Sequence, residues 1–242
     1  MKKYTQRQDS KITNKEYSKF LKNKKVILVG PAWHTKNTKQ VDFINSYDIV
    51  VRMNNGSTIP TPKVREDIGD RIDIWYSSLS LYFFRNKIIT TTFLNDLKER
   101  KLKWICCSFP DRRSGGLSRL SKCNKQKIPV HLVNSNYYNI LYNKNKKAKV
   151  TTGIVTIYDL LQFKIKELYI MGMSFYRTDI INKRRTYYSG YHKGRIYVTT
   201  RGNNHNFCNE FNIFYRLYKK DKRIRCDEVL TKMIEKRDKK GE

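Results

Sequence analysis

The chain has 242 residues, enough for one α/β domain with a sizeable core or two small ones. It is 39% hydrophobic with 17 Tyr and 11 Phe, which excludes a disordered chain even though 30% of its residues are charged. Lys and Arg number 51 against 21 acids, a formal net charge of +30, so the surface must attract an anion such as nucleic acid, anionic lipid, a nucleotide-linked donor or an acidic glycan.

Residues 1 to about 23 are polar and basic and read as an arm with a short helix at Lys15 to Leu21. A single domain is expected from Lys24 to residue 242. "KKVILVG" is a continuous apolar run suited to a strand buried on both faces, and it ends in the turn Gly30-Pro31-Ala32. Val41 and Ile44 have helical spacing, and "YDIVVRMN" is a second strand, completing a β-α-β unit. "RIDIWYSSL" and "KWICCSF" predict two further strands, separated by a helix near Thr91 to Arg100. "IPVHLVN" is another strand, followed by a Tyr- and Lys-rich helix from about Asn136. After "KVTTG" an apolar helix runs to about Phe163, and "ELYIMGM" is again a buried strand. Residues 175 to 204, rich in Arg, Tyr and Gly and without periodicity, read as a flexible lid. Phe207, Phe211, Phe214 and Tyr218 mark one face of a helix, and "KRIRCDEVLTKMIEK" supplies a short strand or turn and a last helix. Strands alternating with helices predict a Rossmann-like, doubly wound, mostly parallel α/β sheet.

The basic charge falls in short runs, without heptads, zinc-finger spacing or an aromatic RNA-binding signature, so no specific nucleic-acid partner is expected. Cys106, Cys107, Cys123, Cys208 and Cys226 form no CxxC pair and are odd in number, which reads as reduced thiols rather than a zinc site or a disulfide framework. The opening residues lack an apolar run like a signal peptide, and no stretch approaches membrane-spanning length. A soluble, cytoplasmic protein is the expectation.

In open parallel sheets, ligands bind beyond the carboxyl ends of the strands, and three segments are placed there. The Gly30 turn admits a close backbone approach, and Asn54 at the end of the second strand offers both donors and an acceptor to a nucleotide. A turn and a cap account for the same residues. The pattern is not GxGxxG and no acid follows the second strand, which argues against NAD or FAD. Thr151, Thr152 and Gly153 open a helix whose amides and hydroxyls favour a phosphate or a sugar carboxylate, or simply cap it. His205 stands at the mouth of the Phe-rich helix with Glu210 after it, at a spacing that prevents both from sharing one ligand on a regular helix face. His205 at a cap position would be kept neutral by the positive helix end and ready as a base, with Glu210 as the favourable acid near that end. A packing or capping histidine and a metal ligand remain alternatives. Tyr187 and Tyr188 in the lid are placed either to close over a ligand or to form a solvated aromatic loop.

Taken in order, these segments resemble the sialyl motifs of the eukaryotic-type sialyltransferases, glycosyltransferase family 29, in their short soluble form. "KKVILVGPAWHTKNTKQVDFINSYDIVVRMNNG" with "EDIGDRIDIWYSSL" is similar to the large motif, "VTTGIVTIYDLLQFKIKELYIMGMSFY" to the small motif, and "HNFCNE" to the H-x4-E of the very small motif. The resemblance spans about residues 24 to 235. It implies the GT-A-like fold variant of these enzymes and inverting, metal-independent transfer from CMP-sialic acid, or a related CMP-linked acidic sugar, to a glycan hydroxyl. No cofactor is implied beyond the donor substrate. His205 would be the general base with Glu210 supporting it. Gly30, Pro31, Ala32 and Asn54 would hold the nucleotide, and Thr151, Thr152 and Gly153 the phosphate or sugar carboxylate. Tyr187 and Tyr188 fall where the family's third motif would lie. The family usually carries Asn after the first Gly, whereas this chain has Pro31-Ala32, and the cysteines that link the motifs in secretory enzymes are absent. The alternatives are a basic nucleic-acid-associated α/β protein and an inactive relative that binds nucleotide or glycan without transfer.

Overall fold

The computed structural model describes residues 14–54, 62–109, 115–176 and 205–239. Its centre is a seven-stranded sheet of β1 (Lys25–Val29), β2 (Ile49–Met53), β3 (Ile74–Ser77), β4 (Trp104–Cys107), β5 (Val130–Leu132), β6 (Glu167–Met171) and β7 (Ile224–Cys226). The order is β5-β4-β3-β2-β1-β6-β7 and every neighbouring pair is parallel. The chain lays β1 to β5 outward in one direction and then returns to place β6 on the other side of β1. That reversal makes the gap beyond β1 and β6 the topological switch point, where ligands of doubly wound folds bind.

The apolar runs form strands because the sheet is covered on both faces, and successive side chains serve opposite layers. Val26 and Leu28 join one core cluster, whereas Ile27 and Val29 join another. The first face is covered by residues from helices 14–21, Thr152–Leu160, Phe207–Lys220 and Glu228–Asp238. The other face carries helices Val41–Asn45 and Pro62–Ile68 at one end and Leu81–Arg85, Thr91–Glu99 and Gly116–Cys123 at the other. On helix Phe207–Lys220, Phe211, Ile213 and Phe214 are buried, and Phe214 stacks on Phe175 at 5.1 Å between ring centres. Burial of each such side chain contributes about 1.5–3 kcal/mol.

Within the segment expected to be an arm, residues 14–21 form a helix whose Tyr17 and Leu21 are fully buried, so the core begins before Lys24. Tyr17 reaches a polar network inside the sheet. Its hydroxyl lies 3.0 Å from that of Tyr76, which donates to Asp159 Oδ2 at 2.6 Å, and the same oxygen lies 3.0 Å from His131 Nε2. The Tyr17 ring stacks on His131 at 4.2 Å. Burial, and then the proximity of Cys106 and Asp159, push the Tyr17 hydroxyl well above its ordinary range. Tyr76 is raised in the same direction, chiefly by burial and then by Asp159.

The "DIVVRM…EDIGDR" segment is a scaffold in this chain. Arg52 is fully buried on β2, where an unpaired charge would be costly, and its guanidinium donates to the carbonyls of Ile68 at 2.7 Å and Arg71 at 2.8 Å. Arg71 in turn pairs with Asp73 at 2.9 Å and donates to the carbonyls of Asn45, Tyr47 and Asp48. These bonds hold the start of β3 against the turn before β2.

Candidate functional site

The carboxyl ends of β1, β2 and β6 and the amino end of helix Thr152–Leu160 enclose an inner pocket. Pro31, Met53, Asn54, Thr151, Thr152, Gly153, Met173 and Glu210 line it. It adjoins an open cleft of about 410 Å³ that shares Asn54, Thr151, Thr152 and Tyr176 and adds Ser78, Tyr82, Phe109, Lys149 and His205. A hollow of this size at the switch point suits a small-molecule ligand. Pro31, Asn54, Thr151, Thr152, Gly153, His205 and Glu210 are thus brought together, although the sequence separates them widely.

Asn54 adopts a left-handed backbone, with φ of 45°, as it leaves β2. Its main chain is fixed by donation to the Tyr76 carbonyl at 2.8 Å and by acceptance from Trp75 Nε1 at 2.9 Å. Its Oδ1 lies 3.5 Å from the Thr152 hydroxyl and 3.4 Å from the Ser78 N–H. The side chain therefore stands between β2, β3 and helix Thr152–Leu160.

Gly30 and Ala32 do not line either hollow. Gly30 donates to the Met171 carbonyl and Ala32 to the Gly172 carbonyl, each at 2.8 Å, so the turn after β1 is sewn to the end of β6. A Cβ on Gly30 would meet the Gly172 carbonyl oxygen at 2.3 Å. The glycine is required here for the approach of two backbones, and Pro31 alone of the three turn residues faces the pocket.

Glu210 is 1% exposed, and both of its oxygens are engaged by Thr151: Oε1 accepts the backbone N–H at 2.9 Å and Oε2 the hydroxyl at 2.5 Å. Thr151 is the N-cap residue, but its side chain makes no capping bond. Both donors of Thr151 are thus taken by Glu210 rather than left for a bound phosphate or sugar carboxylate. The carboxylate sits at the positive end of helix Thr152–Leu160, where its charge is favourable. The N–H groups of Thr152 and Gly153 have no intrahelical partner by position, and both residues line the inner pocket.

His205 lies one residue before the cap, and Asn206 is the N-cap, its side chain accepting from the Asn209 N–H at 3.1 Å. The expected cap position of His205 is corrected accordingly. Because His205 precedes the helix, the spacing argument from helical geometry does not govern it, and its Nδ1 comes within 3.8 Å of Glu210 Oε1. That is too long for a hydrogen bond. Nδ1 instead lies 2.9 Å from the Lys149 carbonyl, and a carbonyl only accepts, so Nδ1 carries the proton. In the neutral form of the ring the lone pair is then on Nε2, which has no hydrogen-bond partner among the described residues. The His205 side chain is 30% exposed and lines the cleft. The ring lies parallel to Phe207 at 5.7 Å, and Phe207 packs on Tyr176 at 4.1 Å.

Tyr187, Tyr188 and nearly all of the expected lid lie outside the described residues. Among the cleft residues that sequence reasoning missed are Ser78, Tyr82, Phe109, Lys149 and Tyr176. The position of Ser78 and Phe109 just after β3 and β4 was the available signal. Among the described residues, no group of three or more His, Cys, Asp or Glu side chains is disposed to hold a metal ion, and no helix is long and apolar enough to cross a membrane.

The fold is that of the sialyltransferases. The chain superimposes on CstII from Campylobacter jejuni, solved with the substrate analogue CMP, over 85% of this chain and 80% of that one, with a TM-score of 0.50 and 18% identity. The monofunctional α-2,3-sialyltransferase Cst-I from the same organism gives a TM-score of 0.52 at 17% identity, over 85% of this chain and 77% of that one. A mammalian sialyltransferase in complex with Gal-beta-1-3GalNAc-ortho-nitrophenol gives 0.52 at 14% identity, over 86% and 71%. No family model and no curated sequence matches the chain. At these identities the likeness is one of fold.

Proposed function

We propose that the protein is a glycosyltransferase that moves a sialic acid or similar acidic sugar from a CMP-linked donor to a glycan hydroxyl. The observation that carries this reading is the placement of His205 at the edge of a cleft, with Nδ1 committed to the Lys149 carbonyl so that the lone pair of the neutral ring falls on Nε2. The fold shared with sialyltransferases, one of them holding CMP, supports it.

In this reading the nucleotide lies in the open cleft against Asn54 and reaches toward Pro31 in the inner pocket, and its phosphate meets the N–H groups of Thr152 and Gly153. Glu210 holds Thr151 so that the start of the helix keeps its shape. The acceptor hydroxyl lies in the outer cleft. Nε2 takes its proton as the oxygen attacks the anomeric carbon, the bond to the CMP phosphate breaks, and CMP leaves with inversion. The helix-terminal N–H groups stabilise the phosphate charge that develops.

Incubation with a panel of nucleotide sugars should release CMP from one of them when a glycan acceptor is present. CMP should also stabilise the fold while UMP and AMP do so much less. Ligand at about 100 times its dissociation constant should add roughly 2.7 kcal/mol, which a thermal shift reads directly. Equal shifts with all three nucleotides would remove the donor assignment, and a CMP shift without transfer would favour a binding protein. We further propose that no divalent ion takes part, because the leaving charge is met by the helix-terminal N–H groups, with Lys149 at the cleft. Activity should then survive EDTA. Abolition by chelation with restoration by Mg²⁺ or Mn²⁺ would defeat that account.

A further inference from the structure

The Lys149 carbonyl that sets the state of His205 is itself held by a residue outside every motif. Asn145 closes helix Ser135–Lys144 and is fully buried. Its Nδ2 lies 3.1 Å from the Lys149 carbonyl oxygen and 3.3 Å from that of Ala148. Two carbonyls on one side oblige the NH₂ to face them, which fixes the orientation of the amide. The other side of the amide, Oδ1, accepts from Asn209 Nδ2 at 3.3 Å, and Asn209 also donates to the Lys144 carbonyl at 2.6 Å. Asn209 stands on the first turn of the helix that His205 leads into. The hydrogen bonds therefore close a ring: His205 to the Lys149 carbonyl, that carbonyl to Asn145, Asn145 to Asn209, and Asn209 back along the chain to His205.

The turn inside this ring is closed by backbone bonds from Lys147 N–H to the Tyr142 carbonyl and from Ala148 N–H to the Asn145 carbonyl, each at 3.0 Å. Lys146 and Lys147 are consecutive non-glycine residues with φ of 55° and 58°, a conformation that persists only where the surroundings over-determine it. The Asn145 side chain adds to these backbone bonds by binding the carbonyls of Ala148 and Lys149 at the turn's far end. The isolated parallel bridge between Lys149 and His205 then carries the geometry to the imidazole. An oxygen with two lone pairs can accept from Asn145 and from His205 together, so the two donors do not compete. An imidazole free in water prefers its proton on Nε2. The opposite tautomer at His205 therefore needs an acceptor fixed in place.

We propose that Asn145 is a positioning residue that holds the Lys149 carbonyl and so keeps His205 in the tautomer with Nδ1 protonated and Nε2 free. Its bearing on turnover rests on the reading of His205 as the general base, but its effect on the ring nitrogens does not. Nitrogen-15 NMR of the histidine rings in the full-length protein is the test. In the wild-type protein near neutral pH, His205 should show a protonated Nδ1 and a bare Nε2, and Asn145→Ala should convert it to a mixture of tautomers. In the transfer assay the same variant should lose about 10- to 100-fold in kcat, the range known for outer partners of metal-binding histidines, with the KM for donor little changed. A wild-type His205 protonated on Nε2, or a folded Asn145→Ala protein whose His205 keeps Nδ1 protonated throughout, would overturn the proposal. Should Asn145→Ala fail to fold, Asn145→Asp keeps the shape and the acceptor for Asn209 but removes the donor, and it is read on the same criterion. Absence of CMP binding and transfer in the wild-type protein would defeat the transferase reading while leaving the ring-nitrogen result standing, so the two fail separately.

Discussion

Replacing His205 with Ala is expected to lower turnover by about 10²- to 10⁴-fold, the usual range for loss of a general base. A sugar hydroxyl is a poor nucleophile until its proton is being removed, and a neutral imidazole is suited to that work near neutrality. The structure sharpens the expectation because it separates the catalytic role from the structural one. The cap of helix Phe207–Lys220 is Asn206, and the principal polar contact of the His205 ring is the bond from Nδ1 to the Lys149 carbonyl. Removing a partly exposed hydrogen bond of this kind costs about 0.5–1.5 kcal/mol, so the melting temperature and the CMP shift should change little. Single-turnover rates and thermal denaturation of the same preparation check both halves. Near-normal turnover in a folded His205→Ala protein would leave the histidine as a packing residue.

The sheet was legible in the sequence because its strands are buried on both faces. "KVILV", "IVVRM" and "WICC" need no interpretation beyond their length and the turns that follow them, and each is a strand of the central sheet. Short helices were not legible. Pro62–Ile68, Leu81–Arg85 and Gly116–Cys123 are too brief to display a period, and they exist because they cover one face of the sheet. Burial of helix 14–21 was hidden for a related reason: its apolar contribution to the deepest layer comes from Tyr17 and Leu21, set among charged residues.

The candidate site divides in the same way. Asn54, Thr151 and His205 sit at the ends of regular elements, where chain order alone places them near one another in a parallel sheet. What those residues do to each other could not be read. The bond from Thr151 to Glu210 and the bond from His205 to the Lys149 carbonyl join positions far apart in sequence, through the packing of helix Phe207–Lys220 beside helix Thr152–Leu160. Gly30 shows the converse. A glycine in a turn after a strand suggests room for a ligand, but the space is occupied by the backbone of Gly172, which no local pattern announces.

That backbone contact supports the second large effect, for Gly172→Ala. Gly172 has φ of +67°, and a Cβ built on it would lie 2.4 Å from the Gly30 carbonyl oxygen and 3.0 Å from the carbonyl carbon. The left-handed conformation costs a residue with a Cβ about 1–2 kcal/mol. Overpacking against main chain that cannot rotate away adds about 1–3 kcal/mol. Together these predict a loss of about 2–5 kcal/mol, or a fall of roughly 4–20 °C in melting temperature for a domain of this size. The CMP shift should fall as well, because Pro31 and Met173 adjoin the two glycines and line the inner pocket. Gly153→Ala is the control. Its new Cβ would also be crowded, at 2.7 Å, but by the terminal methyl of Met173, the far end of a flexible side chain that can swing aside. Gly153→Ala should therefore melt much closer to the wild-type protein than Gly172→Ala, in parallel calorimetric scans. Equal melting temperatures for the two variants would show that the ends of β1 and β6 can part, and that the interlock of Gly30 with Gly172 does not hold the switch point in shape.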